Sequence, residues 1–137
     1  CKTDVLKQNL FPNIVGNKFF TEAYIYTKIG LKKNSEYLLL NKPLNICEYQ
    51  DDGYSRNLSE IIEKYPLGFK MYSALCIDIN PSWMQRILTI INYHMYSRLC
   101  SWDDEYNYRG TYKILVSLMK PLGLAMYIRF KIKRRIN

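Results

Sequence analysis

The sequence is poor in the residues from which compact metal and catalytic centres are usually built. It holds a single histidine, His94, so any Ser-His or Cys-His dyad would depend on that residue alone, and a hydrogen-bonded structural role is the simpler expectation. The four cysteines, Cys1, Cys47, Cys76 and Cys100, are scattered, with no C-x-x-C pair and no histidine cluster nearby. A structural zinc site needs closely spaced ligand pairs and a disulfide framework belongs to small secreted chains, so free thiols in a reducing cytoplasm are expected. No stretch reaches the roughly 18 uninterrupted apolar residues of a membrane span. Nothing resembles a secretory leader, and there is no internal repeat or low-complexity tract. The chain starts at Cys1 without an initiator methionine, which suits a piece of a longer protein.

Acidic residues are missing from one end. From Tyr106 to Asn137 there is none, while eight of the 20 basic residues lie there, so the other twelve balance the 12 acidic residues of the body. The net charge of +8 therefore resides in the tail and points to an anionic partner. With 137 residues, 48% of them hydrophobic, the chain is one domain or part of one, with ample core.

Periodicity sets out the elements. Thr3 caps a short helix from Asp4 to about Asn9, stopped at Phe11-Pro12; Thr21 caps a second from Glu22 to Ile29, with Ile25 and Ile29 on one face and Gly30 as a left-handed terminator. Tyr37 to Leu40 is a short apolar run and Leu44 to Tyr49 alternates, so the two read as strands around an Asn41-Lys42-Pro43 turn. Gln50-Asp51-Asp52-Gly53 ends the second as a loop. Glu60 to Lys64 is helical, capped by Ser59 or Asn57. Pro66 restarts a helix with Phe69, Tyr72, Leu75 and Cys76 in a stripe. Asn80-Pro81 opens another, in which Trp83, Ile87, Ile90, Ile91, Met95 and Leu99 recur at three and four residues as core. Thr111 to Met119 is helical, and Pro121-Leu122-Gly123 interrupts it. Leu124 to Asn137 fits both a helical row, Leu124, Ile128, Ile132 and Ile136, and an alternating strand; helix is chosen, because its neighbours are helical and it has no evident partner strand.

Asn41-Lys42-Pro43-Leu44, Glu48-Tyr49, Asp52-Gly53 and Ser55 resemble the "N-x-P-L-x-x-x-E-Y-x-x-D-G-x-S" segment of bacterial family 2 glycosyltransferases. Lys2 to Lys7 with Phe11-Pro12, Lys18-Phe19-Phe20-Thr21-Glu22, and Tyr65 to Phe69 are similar in the same order. The resemblance covers about the first half of the chain. It implies an α+β fold: the C-terminal portion of an enzyme of the GT-A type, mostly helical with a two-stranded sheet remnant. Residues 1–64 would be the acceptor-side segment and residues 65–137 a helical extension. The implied function is transfer of a sugar from a nucleotide-sugar donor to a glycan or lipid-linked acceptor in cell-surface polysaccharide synthesis, with inversion. The nucleotide site and its divalent metal, magnesium or manganese, would lie upstream of Cys1, leaving the isolated chain inactive.

The same resemblance makes Glu22 the base that takes the proton from the acceptor hydroxyl, with Ala23 where a second acid often stands. By residue chemistry alone a glutamate in a first helical turn needs only the helix dipole to explain it. Asp51 and Asp52 form a solvated turn or contact substrate, and Arg56 pairs with a phosphate or neutralises the two aspartates. In the tail, Arg129, Lys131, Lys133, Arg134 and Arg135 are expected to face an anionic membrane while the apolar row sinks into it, so the chain is expected to be cytoplasmic and peripheral at the inner membrane surface. The alternative is that the row packs on the protein's own helices. A different class of function, a non-enzymatic basic module binding a membrane surface or nucleic acid, predicts binding that weakens steeply with salt.

Overall fold

A computed structural model describes residues 3–32, 41–43, 57–100 and 107–136. Their regular structure is entirely helical: α1 (Thr3–Lys7), α2 (Glu22–Gly30), α3 (Leu58–Lys64), α4 (Pro66–Ile79), α5 (Trp83–Leu99), α6 (Lys113–Leu118) and α7 (Lys120–Ile136). The α+β expectation is corrected accordingly. Among the described residues there are seven helices and no strand, and neither a sheet remnant nor a GT-A fold is shown. The physical reason is that the described helices bury their apolar stripes against one another, helix on helix, and need no sheet to cover them. The two segments read as strands, Tyr37 to Leu40 and Leu44 to Tyr49, lie outside the described residues.

α5 is the centre of the bundle and packs along α4 on one side and α7 on the other. Its Ile90 and Tyr93 are buried with Ile77 of α4 and Val116 of α6. Two polar residues on the same helix are buried at no cost in hydrogen bonds. Ser97 Oγ donates to the Tyr93 carbonyl at 2.8 Å, and the His94 Nε2–H donates to the Val116 carbonyl at 2.6 Å. A second cluster joins α2 to α4, with Tyr24, Ile25 and Ile29 set against Met71, Tyr72 and Leu75. α3 leads into α4 through Tyr65, and Pro66 takes the first-turn position where its missing N–H costs nothing.

Tyr108 locks residues 107–112 onto this frame. Its hydroxyl donates to Asp78 Oδ1 at 2.5 Å and accepts from the Tyr112 N–H at 2.9 Å, while its own N–H donates to Tyr93 Oη at 2.8 Å. Burial and the Asp78 carboxylate push the Tyr108 phenol up to about 12, so it remains a donor at neutral pH.

Several local expectations are corrected. Gly30 ends α2 without a left-handed turn: Leu31 keeps right-handed helical angles, and its N–H bonds Thr27 while that of Lys32 bonds Ile29. Trp83 is 55% exposed rather than core. It lies against Arg86 and edge-on to Tyr112. The interruption near Pro121 falls earlier, at Met119, and Pro121 and Gly123 both sit in the first turn of α7. Gly123 is needed there for close approach, since a Cβ at that position would collide with His94 Cβ.

Candidate functional site

A cleft of about 450 Å³ opens between α4 and α5 and reaches the start of α2. Aromatic stacking builds the corner where the three helices meet. Phe19 stacks on Phe69 with centroids 5.5 Å apart, and Phe69 in turn meets Tyr96 at 5.5 Å. Gly68 lets α4 approach the chain at Phe19, whose carbonyl oxygen a Cβ would strike, and Asn17 Nδ2 donates to that same oxygen at 2.9 Å. These contacts carry Thr21 to the cleft wall and leave Glu22, the next residue, exposed in the first turn of α2.

Thr21 has the N-cap position and extended backbone angles, yet its side chain makes no capping hydrogen bond. Its Oγ1 is buried and unpaired. A buried hydroxyl without a partner costs about 1–3 kcal/mol, and Thr21 holds this one in the cleft wall, closed to solvent. The far end of the cleft is set by Arg86, whose guanidinium donates to the Ile77 carbonyl at 2.9 Å and to the Asn80 carbonyl, satisfying groups at the C-terminus of α4. Asn80 Nδ2 then donates to Thr89 Oγ1 at 2.8 Å.

The lining carries no formal charge. Burial pushes the Tyr72 and Tyr96 phenols and the Cys76 thiol above their ordinary values, so all three stay protonated at neutral pH. Amides of Asn80, Gln85 and Asn92 and hydroxyls of Ser73 and Thr89 share the walls with Phe69 and Leu88. Convergent neutral donors and acceptors beside aromatic rings suit an uncharged polyhydroxylated ligand better than a phosphate.

The other sequence candidates are apart from this cleft or outside the described residues. Asp51, Asp52 and Arg56 lie outside them. The five tail cations divide into two groups. Lys131 bonds Glu63 of α3, and Arg134 reaches Glu63 Oε2 at 3.3 Å and Glu60 Oε1 at 3.8 Å. Arg129, Lys133 and Arg135 are exposed. The hydrogen bond from Lys131, then the Arg134 contact, hold the Glu63 carboxyl below the usual range against a partial desolvation that raises it. His94 is structural: burial lowers its pKa, and its ring lies between the Val116 carbonyl and Gly123. Among the described residues no three His, Cys, Asp or Glu side chains come together. Among them no helix is long and apolar enough to cross a membrane.

The sequence reading missed the cleft hydroxyl of Thr21, which it took for a cap, and the amide row of Asn80, Gln85 and Asn92. The row could have been found, since Gln85, Asn92 and the intervening Thr89 recur at three and four residues on the face of α5 opposite its buried core. No protein-family model, no curated protein and no solved structure matches the chain.

Proposed function

We propose that the chain is the acceptor-side part of an inverting glycosyltransferase, one that moves a sugar from a nucleotide-sugar donor to a glycan or lipid-linked acceptor. The observation that carries this reading is the cleft itself, whose lining of neutral hydroxyl, amide and aromatic groups includes Thr21, with an exposed carboxylate, Glu22, one residue further along the chain. The ordered resemblance of residues 2–69 to family 2 glycosyltransferases supports it. In this reading the cleft binds acceptor sugar hydroxyls, and Glu22 takes the proton from the attacking hydroxyl as its oxygen bonds to the donor's anomeric carbon. The bond from that carbon to the nucleoside diphosphate breaks with inversion. In this reading the cleft holds the acceptor and neither the donor nor its metal.

Two measurements test it. In the protein that carries this chain, Glu22→Gln should lower transfer by about a hundredfold or more with donor binding retained, because glutamine keeps the shape but accepts no proton. A near-wild-type rate ends the assignment of Glu22. For the chain alone, calorimetry with uridine and guanosine diphosphate sugars plus manganese should show no binding, while oligosaccharides should shift the amide resonances of Asn80, Gln85 and Asn92. Donor binding without any response to oligosaccharide would overturn the acceptor-side reading.

A further inference from the structure

We propose that the outward face of α7 is a docking surface for an anionic lipid bilayer, with Ile128, Ile132 and Ile136 at headgroup depth and Arg129, Lys133 and Arg135 on lipid phosphates. The apolar row of this helix does not pack on the protein. Ile128 is 48%, Ile132 53% and Ile136 78% exposed. Together with Ala125 they line an open apolar strip of about 570 Å³ whose other members are Arg129 and Lys133. At 100° per residue, Arg129 and Lys133 border one edge of the row and Arg135 the other. Among the described residues these three cations make no ion pair. An apolar strip bordered by cations on both edges is the arrangement that lets a helix lie in the headgroup plane, its stems along the apolar surface and its charges at the phosphates.

The opposite face of α7 fixes this orientation. Gly123 is pressed on His94, and Lys131 and Arg134 are held by Glu63 and Glu60 of α3. The helix is therefore already formed and cannot roll its isoleucines inward, so binding carries little ordering cost. Charge chooses the occupant. Residues 106–137 contain no acidic side chain, so a second copy docking through the same face would set cations against cations. Nucleic acid would use the charges and leave the isoleucines in water. Only a surface that is anionic outside and apolar beneath uses both. The proposal rests on α7 and its packing and does not depend on the glycosyl-transfer reading.

The test is co-sedimentation of the intact chain with phosphatidylcholine vesicles and with vesicles containing phosphatidylserine, using variants at outward positions that helical circular dichroism shows to be folded. Binding should require the anionic lipid and weaken with salt. Arg129→Ala with Lys133→Ala and Arg135→Ala should weaken it about a hundredfold, a factor of about five for each charge. Lys7→Ala with Lys32→Ala and Lys42→Ala removes the same charge from other exposed positions and should change it by less than about threefold. Ile128→Ser with Ile132→Ser keeps every charge and should still weaken binding about tenfold or more. Equal losses from the two triple variants would reduce the effect to net charge and overturn the proposal. So would undiminished binding by the serine variant, or DNA displacing the vesicles and binding more tightly than they do. A dimer in sedimentation velocity that the serine variant abolishes would assign the face to a second copy instead.

Discussion

The cleft between α4 and α5 and the outer face of α7 are both open surfaces of one helical bundle, yet they are built on opposite terms. The cleft gathers neutral hydrogen-bonding groups around aromatic rings, and its phenols and thiol are protonated at neutral pH, with burial raising them further. The face of α7 has almost no neutral hydrogen-bonding side chains and alternates isoleucine with cations. α5 separates the two, presenting Gln85, Thr89 and Asn92 to the cleft and His94 to α7. Specific recognition of a small ligand needs the first arrangement; attachment to an extended charged surface needs the second.

The largest structural effect should come from the inner face of α7. Gly123→Ala places a methyl into His94 Cβ, where neither backbone can yield freely, and should destabilise the fold by about 1–3 kcal/mol. Ile132→Ala, on the outer face, should change stability by less than about 0.5 kcal/mol although it removes three carbon atoms. Urea midpoints of the two variants check this. Similar losses would mean that the outer row is packed after all.

That contrast marks where the sequence was legible. Helical period located α2, α4 and α5, α7 fitted two periods and was assigned from its helical neighbours, and Ile25 and Ile29 were assigned to the buried face of α2 as found. Periodicity in α7 showed an apolar row but could not say which way it faces. The inner face is written in Gly123, Met126, Tyr127, Phe130, Lys131 and Arg134, a mixture that no hydrophobicity pattern singles out. Gly123 looked like a breaker because close approach and helix termination use the same residue. The α+β class came from the family resemblance together with two short runs read as strands, which periodicity alone assigns poorly, and those runs fall outside the described residues. In the cleft, Thr21 carried a capping signature, and only the unpaired Oγ1 separates a cap from a ligand group.

Thr21→Val sharpens the cleft side of the comparison. If Oγ1 capped α2, its loss would cost about 1 kcal/mol. Because that oxygen is buried without a partner, the nearly isosteric valine should leave stability within about 0.5 kcal/mol or raise it, while weakening oligosaccharide binding. A clear fall in thermal midpoint would return Thr21 to a capping role.

Acid should separate two contacts of α7. Burial depresses the His94 pKa in the fold, so the folded state favours the neutral ring. Its stabilising contribution is complete above the ordinary value of 6.5 and is lost as pH falls from there toward the depressed value. Glu63 is also depressed, by Lys131 and Arg134, so its contribution is complete above its ordinary value of 4.5 and is lost as pH falls through the lower folded value. Wild-type stability followed by urea denaturation should therefore decline in two steps. His94→Leu should remove the upper one, at a cost in stability at neutral pH from the unsatisfied Val116 carbonyl.

The smallest effect belongs to the tie between α3 and α7. Glu63 and its two cations are about one third exposed, so solvent screens them and Glu63→Gln should cost less than about 1 kcal/mol at neutral pH. The sign of its pH dependence makes so small a number testable. The variant and wild type should converge as pH falls through the Glu63 titration, since protonated glutamate and glutamine are then alike, and added salt should close the gap at neutral pH. The same change frees Lys131 and Arg134 without altering the isoleucine row. Tighter binding to anionic vesicles by a few-fold, with the stability difference still under about 1 kcal/mol, would show that the ion pairs hold those two cations away from the lipid. An unchanged affinity would mean that Lys131 and Arg134 stay on the inner face by helix packing alone, and that the carboxylate contributes to neither surface.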